Sequence, residues 1–118
     1  MDLFGELKRV LEKKKVLESR RDQLLNEISR LKPERGSLEY KWVKNKAGKR
    51  YYYWYLRKWE NGRLRSIYLG SSVPDSLVRG IKDRKKLREL QRELRAIEYE
   101  LRKIQNAIYS ISIILSSL

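Results

Sequence analysis

The sequence predicts an α+β protein: two long helices forming an antiparallel coiled-coil stem, with a three-stranded antiparallel β-sheet inserted between them at one end. Three observations predict it. Apolar residues recur at steps of three and four toward both ends of the 118-residue chain, the pattern of a helix packed along one stripe. The middle third changes to Tyr, Trp and β-branched residues, the types that favour strands. Two short connections within it carry hairpin-turn residues. The corresponding divisions are residues 1–35, 36–72 and 73–118.

The first helix is expected from Asp2 to Lys32. Leu3, Leu7, Val10, Leu17, Leu24, Ile28 and Leu31 form a heptad seam, interrupted by Lys14 and Arg21, and Phe4, Leu11 and Leu25 widen the stripe on one side. Pro33 removes a backbone donor and Gly36 frees the backbone, so the helix stops there. The second helix is expected from about Pro74, with Asp75 favoured at its positive end, to about Leu118. From Leu87 its seam runs uninterrupted through Leu90, Leu94, Ile97, Leu101, Ile104, Ile108, Ile111, Leu115 and Leu118. The stem would be roughly 45 to 65 Å long at 1.5 Å per residue. The apolar end, with Ile104, Ile108, Ile111, Leu115 and Leu118, exceeds what one partner helix needs and is expected to hold a homodimer or larger bundle.

Between the helices, Leu38–Lys44, Lys49–Trp59 and Leu64–Leu69 read as three strands. Glu60-Asn61-Gly62-Arg63 is a two-residue type I′ hairpin, because Asn and Gly tolerate the two positive φ angles it needs. Asn45-Lys46-Ala47-Gly48 reads as a type I turn with Gly48 as the left-handed bulge residue. These turns fix the register, and the register fixes the faces. Leu56 should oppose Ile67, Trp54 oppose Leu69, Trp42 oppose Tyr52, Tyr40 oppose Trp54, and Leu38 oppose Leu56. The face made of these residues is apolar and is expected to be core, packed near Leu31, Leu77, Val78 and Ile81.

The opposite face would carry Glu39, Lys41, Tyr51, Tyr53, Tyr55, Arg57, Trp59, Ser66 and Tyr68. One face of an antiparallel sheet often meets water, but a solvent face is seldom this aromatic. Tyr rings stack on bases or reach phosphate through their hydroxyls, and Arg pairs with phosphate or a guanine edge. The structural alternative is a Tyr ladder that stabilises the sheet through cross-strand pairs or lies under a partner subunit.

Charge favours the first reading. The chain holds 29 Lys and Arg against 15 Asp and Glu, a net charge of +14, which suits a polyanionic partner. Ser37–Gly70 alone holds nine basic residues (Lys41, Lys44, Lys46, Lys49, Arg50, Arg57, Lys58, Arg63 and Arg65) against Glu39 and Glu60. The adjoining helices add Arg30, Lys32 and Arg35, then Arg79, Lys82, Arg84, Lys85, Lys86 and Arg88. Turn lysines of this kind clamp phosphates whatever the base sequence, with strong salt dependence. Charge and aromatics together give the expected nucleic-acid-binding set: Lys41, Lys44, Lys46, Lys49, Arg50, Tyr51, Tyr53, Tyr55, Arg57, Lys58, Trp59, Arg63, Arg65, Tyr68, Arg79, Lys82, Lys85 and Lys86.

The chain has no Cys and no His. That removes disulfides, thiolate nucleophiles, imidazole bases and the usual transition-metal ligands. No glycine-rich phosphate loop, nucleophile elbow or carboxylate dyad is present. No catalysis, cofactor or metal is therefore expected. The N-terminus lacks a secretory apolar segment. The apolar stretch from Ala107 to Leu118, interrupted by four serines, falls short of the ~20 residues that span a bilayer. A cytoplasmic, nucleoid location without membrane contact is the expectation, and abundant Lys, Arg and Glu without Cys suit a thermophile.

The sequence Gly36-Ser37-Leu38, then Gly48, Tyr51-Tyr52-Tyr53, Arg65-Ser66-Ile67-Tyr68-Leu69-Gly70 and Val73-Pro74 resembles a family of short, functionally uncharacterised bacterial and archaeal domains, some of them transposon-associated. The resemblance covers about residues 36–90 and implies this strand-turn-strand architecture followed by a helix. Similar sequences often carry cysteines around the first turn. This chain has none, so a metal role does not carry over. In shape the sheet is also similar to the three-stranded DNA-reading sheets of tyrosine recombinases.

The leading expectation is thus a DNA-binding protein, nucleoid-associated or regulatory, dimerised through its stem. An RNA- or ribosome-associated protein shares the same charge and aromatics, with RNA preference as its mark. A coiled-coil scaffold whose Tyr face binds another protein is the reading from a different class, marked by nucleic-acid binding that vanishes at modest salt.

Overall fold

The computed structural model describes residues 2–118. The elements follow in the order α1 (Leu3–Arg30), β1 (Ser37–Lys44), β2 (Arg50–Glu60), β3 (Arg63–Gly70) and α2 (Asp75–Ser116). The α+β class and the order helix, three strands, helix are as the sequence predicts, with boundaries shifted by one or two residues. The chain divides into two units. The helical arms, up to Arg30 and from Arg88 onward, form one, and Leu31–Leu87 forms the other.

In the helical unit α1 begins at a side-chain cap. Asp2 Oδ1 accepts from the Gly5 N–H at 3.0 Å, and the Asp2 carbonyl accepts from Glu6, satisfying donors that the first turn leaves free. Leu90, Ile97, Ile104 and Ile111 are buried at steps of seven, as is Leu24 of α1. The seam positions between them are half-buried, Lys14 and Arg21 included. Arg20 pairs with Glu93 through two hydrogen bonds of 2.8 and 3.0 Å, and Lys13 lies 3.9 Å from Glu100. Seven residues back on α1 thus match seven forward on α2, so the two arms run antiparallel. The Arg20 bond holds the Glu93 carboxyl below the usual carboxylate range, and Glu93 in turn raises the Arg20 guanidinium.

The second unit contains a sheet of order β1-β2-β3, antiparallel throughout. Both turns form as their residues dictate. Asn61 and Gly62 take φ of 50° and 76°, the pair of positive angles a type I′ turn requires. In the first hairpin the Gly48 N–H donates to the Asn45 carbonyl at 3.0 Å, and Gly48 has φ of 80°. Asn45 Oδ1 also accepts from the Ala47 and Lys49 amides. The β1–β2 register is the expected one: Leu38 opposes Leu56, Tyr40 opposes Trp54, and Trp42 opposes Tyr52.

Two expectations are corrected. Trp54 faces Gly70 rather than Leu69, because the β2–β3 register shifts between Trp54 and Tyr55. Leu69 is the extra residue of a bulge, next to Gly70 with φ of 97°, an angle glycine adopts without strain. The face expected to be core is buried at one end only. Leu56 is buried, and Leu38, Trp54, Ile67, Leu31, Leu77, Val78 and Ile81 are half-buried, but Tyr40, Trp42 and Tyr52 are exposed. Same-face residues on a strand are about 6.6 Å apart. The segment before β1 lies against Leu56, where a Cβ at Gly36 would come 2.7 Å from the Leu56 side chain, and cover at that point does not extend to the far end of a strand as long as β2.

Candidate nucleic-acid interface

Charge separates the two units. Residues 31–87 hold sixteen Lys and Arg against five Asp and Glu, whereas the remainder of the chain holds thirteen against ten. From Tyr40 to Trp59 there are seven basic residues and no acidic one. The positive potential is thus a property of the sheet-bearing unit.

Pleating assigns the side chains. Lys41, Tyr51, Tyr53, Tyr55, Arg57, Trp59 and Tyr68 share one face. There the tyrosines form a ladder. Tyr51 and Tyr53 stack at 6.4 Å, and Tyr68 meets Tyr53 and Tyr55 edge-on at 5.4 and 5.6 Å. The Lys41 ammonium sits 4.4 Å over the Tyr55 ring, and Lys49 of the turn 5.4 Å over Tyr51. Tyr53 and Tyr55 are half-buried by this packing, while Tyr68 and Trp59 stay open. The ladder uses several ring faces internally. Arg57 pairs with Glu39 at 3.4 Å, which removes part of its charge from the face.

Lys44, Arg50, Lys58, Arg63 and Arg65 lie on the other face. Glu60 gathers Lys58, at 3.0 Å, and Arg65 into one ion-pair cluster. Hydrogen bonding from Lys58, then from Arg65, holds its carboxyl below the usual range. Among the described residues Lys41, Lys44, Lys46, Lys49, Arg50 and Arg63 have no acidic partner. Four of them flank the first hairpin turn. Arg79, Lys82, Lys85 and Lys86 are exposed on the first turns of α2.

The structure therefore brings Tyr51, Tyr53, Tyr55 and Tyr68 together, as the register implies, but divides the cations between two faces. It also exposes three rings that the sequence reading assigns to core: Tyr40, Trp42 and Tyr52. A signal for them was present, since Lys44 and Arg50 oppose one another in register at the end of that same face, and a core seldom closes on two like charges. In the helical unit Ile104 and Ile111 are buried within the chain and Ile108 and Leu115 half-buried. Of the residues expected to hold a second copy, Leu118 is the one left exposed, beside Tyr109, Ile113 and Ile114. No cluster of acidic residues that could hold a metal ion exists among the described residues. None of the described helices is long and apolar enough to cross a membrane.

A family model described as Domain of unknown function (DUF6788) matches residues 14–79, more than half of the chain. The match takes in the second half of α1, the whole sheet and the start of α2, and so begins earlier than the resemblance over 36–90. No curated protein and no solved structure matches the chain.

Proposed function

We propose that this chain, which belongs to the DUF6788 family, is a non-enzymatic nucleic-acid-binding protein that takes duplex DNA as its main partner. The observation that carries this reading is the excess of eleven positive charges within residues 31–87, on a unit whose sheet carries Tyr and Trp side chains outward. Binding begins with phosphate. Lys44, Lys46 and Lys49 at the first turn, and Arg79, Lys82, Lys85 and Lys86 on α2, neutralise the backbone and release its counterions, which is independent of base sequence. Three strands spaced about 4.8 Å apart give a sheet about 10 Å wide, a width suited to a major groove about 12 Å across. The Tyr51–Tyr53–Tyr55–Tyr68 face would then offer hydroxyls, and Arg57 a guanidinium, toward base edges and phosphates.

The test is fluorescence anisotropy of the full chain with a labelled duplex across a salt series. Submicromolar affinity with a steep negative slope of log affinity against log salt is the expected result. Weak binding that disappears by about 0.2 M salt removes the reading. The same titration with RNA of matched length decides the alternative: tighter RNA binding would move the assignment from DNA to an RNA- or ribosome-associated role.

A further inference from the structure

The exposed rings on the half-covered face form a second surface with different chemistry. Tyr40, Trp42 and Tyr52 are 54%, 44% and 47% exposed. Tyr40 stacks on Tyr52 at 5.4 Å with an interplanar angle of 17° and leans on Trp54 at 4.7 Å. The Arg50 guanidinium lies 4.5 Å over the Trp42 ring and the Lys44 ammonium 5.8 Å from it. Neither cation has an acidic partner among the described residues. The cluster is thus aromatic and partly open to solvent, with two unneutralised cations against the Trp42 ring.

We propose that Tyr40, Trp42 and Tyr52, with Arg50 and Lys44, form a stacking site for unpaired nucleobases, so that the protein also holds single-stranded nucleic acid; this rests on the nucleic-acid reading above. Two physical arguments select this occupant. A protein cover would bury Arg50 and Lys44, and an unpaired buried cation is strongly disfavoured. A polynucleotide supplies both complements at once: phosphate for the cations, and a π-face that every base carries for the rings. An arginine stacked on a ring keeps its planar N–H edges free for phosphate. A duplex hides base faces inside its own stack, so the rings can engage only bases that are out of it. The Tyr51–Tyr53–Tyr55–Tyr68 face differs, because Tyr53 and Tyr55 are half-buried and Tyr68 packs edge-on against both, which leaves fewer open ring faces there. The two faces thereby divide the work, one suited to duplex and the other to single strand.

The test uses the full chain with a labelled oligothymidine of about 20 nucleotides, longer than a typical single-strand site, and the matched duplex. Trp42→Ala is expected to weaken single-strand binding about tenfold, the size of one base-stacking contact, and to change duplex affinity by less than about twofold. Circular dichroism checks that the variant is folded. The chain has three Trp, so Trp54→Phe with Trp59→Phe leaves Trp42 as sole reporter, and its fluorescence should be quenched as the oligothymidine binds. Unquenched Trp42 fluorescence at saturating oligothymidine overturns the stacking site even where Trp42→Ala fails to fold. Unchanged single-strand affinity in folded Trp42→Ala, or a wild-type chain that binds duplex alone, also overturns it while leaving the DNA reading standing. Failure of the wild type to bind either probe at physiological salt overturns both.

Discussion

Glu34 and Gly80 meet backbone to backbone: the Glu34 N–H donates to the Gly80 carbonyl at 2.9 Å, and a Cβ at position 80 would lie 2.8 Å from the Glu34 Cβ. A second bond three residues along α2 joins the same segments, from the Lys32 amide to Asp83 Oδ2 at 3.1 Å. Together they clip the connection after α1 onto the first turns of α2, and Gly80 is buried there.

Gly80→Ala should therefore destabilise the protein although it lies in a helix. In an open helix the change gains up to about 1 kcal/mol. Here the methyl meets the Glu34 Cγ, which can rotate away, but also the Glu34 Cβ and backbone nitrogen, which cannot, and overpacking costs about 1–3 kcal/mol. A thermal melt by circular dichroism should show a lower midpoint, by about 4 °C for each kcal/mol in a chain of this size. A raised midpoint would mean that the loop yields and the clip is loose.

Glu39→Gln should strengthen DNA binding. Glu39 neutralises Arg57 across the Tyr face at 3.4 Å. Without its charge the guanidinium is released to phosphate, so duplex affinity at low salt should rise and the slope of log affinity against log salt steepen by about one. An unaltered slope would place Arg57 outside the contact surface.

Glu60→Gln gives a pH test of the Lys58–Glu60–Arg65 cluster. The Glu60 carboxyl is held below its ordinary range by hydrogen bonding from Lys58 and then Arg65. A depressed folded-state value means that the unfolded chain binds the proton more readily. The stabilisation is then present above the ordinary carboxylate range and is lost as pH falls through the depressed value. Chemical denaturation should show the wild type more stable than the variant at neutral pH, with the difference shrinking in acid. A difference independent of pH would contradict the assignment. Glu60 is solvent-screened, so the effect at neutral pH should be small.

Much of the fold was legible because its local signals are strong. Asn61-Gly62 and Asn45 to Gly48 name their turns through φ requirements that few residues meet. Those turns then dictate every β1–β2 pair from Ser37↔Arg57 to Lys44↔Arg50. The register near Leu69 was not legible. A bulge depends on how a strand end leaves the sheet, and Gly70 in isolation reads equally well as a simple stop. The Tyr face was legible as a set, since alternation follows from register. The Arg57–Glu39 and Glu60 ion pairs were not, because rotamers and not register decide which cation finds an acid.

By itself the sequence determined the class of the protein: two amphipathic helices, a three-stranded sheet between them, and a basic, aromatic middle without cysteine or histidine. These depend on residue type and on periods of 2 and 3.6, which a chain carries without reference to distant neighbours. Only the tertiary structure decided which apolar face is covered. Alternation marks Tyr40, Trp42 and Tyr52 as partners of Leu56 on one face, yet Leu56 is buried and the three rings are open. Burial depends on how far the covering layer reaches, and that is a property of packing in three dimensions rather than of any strand's own pattern.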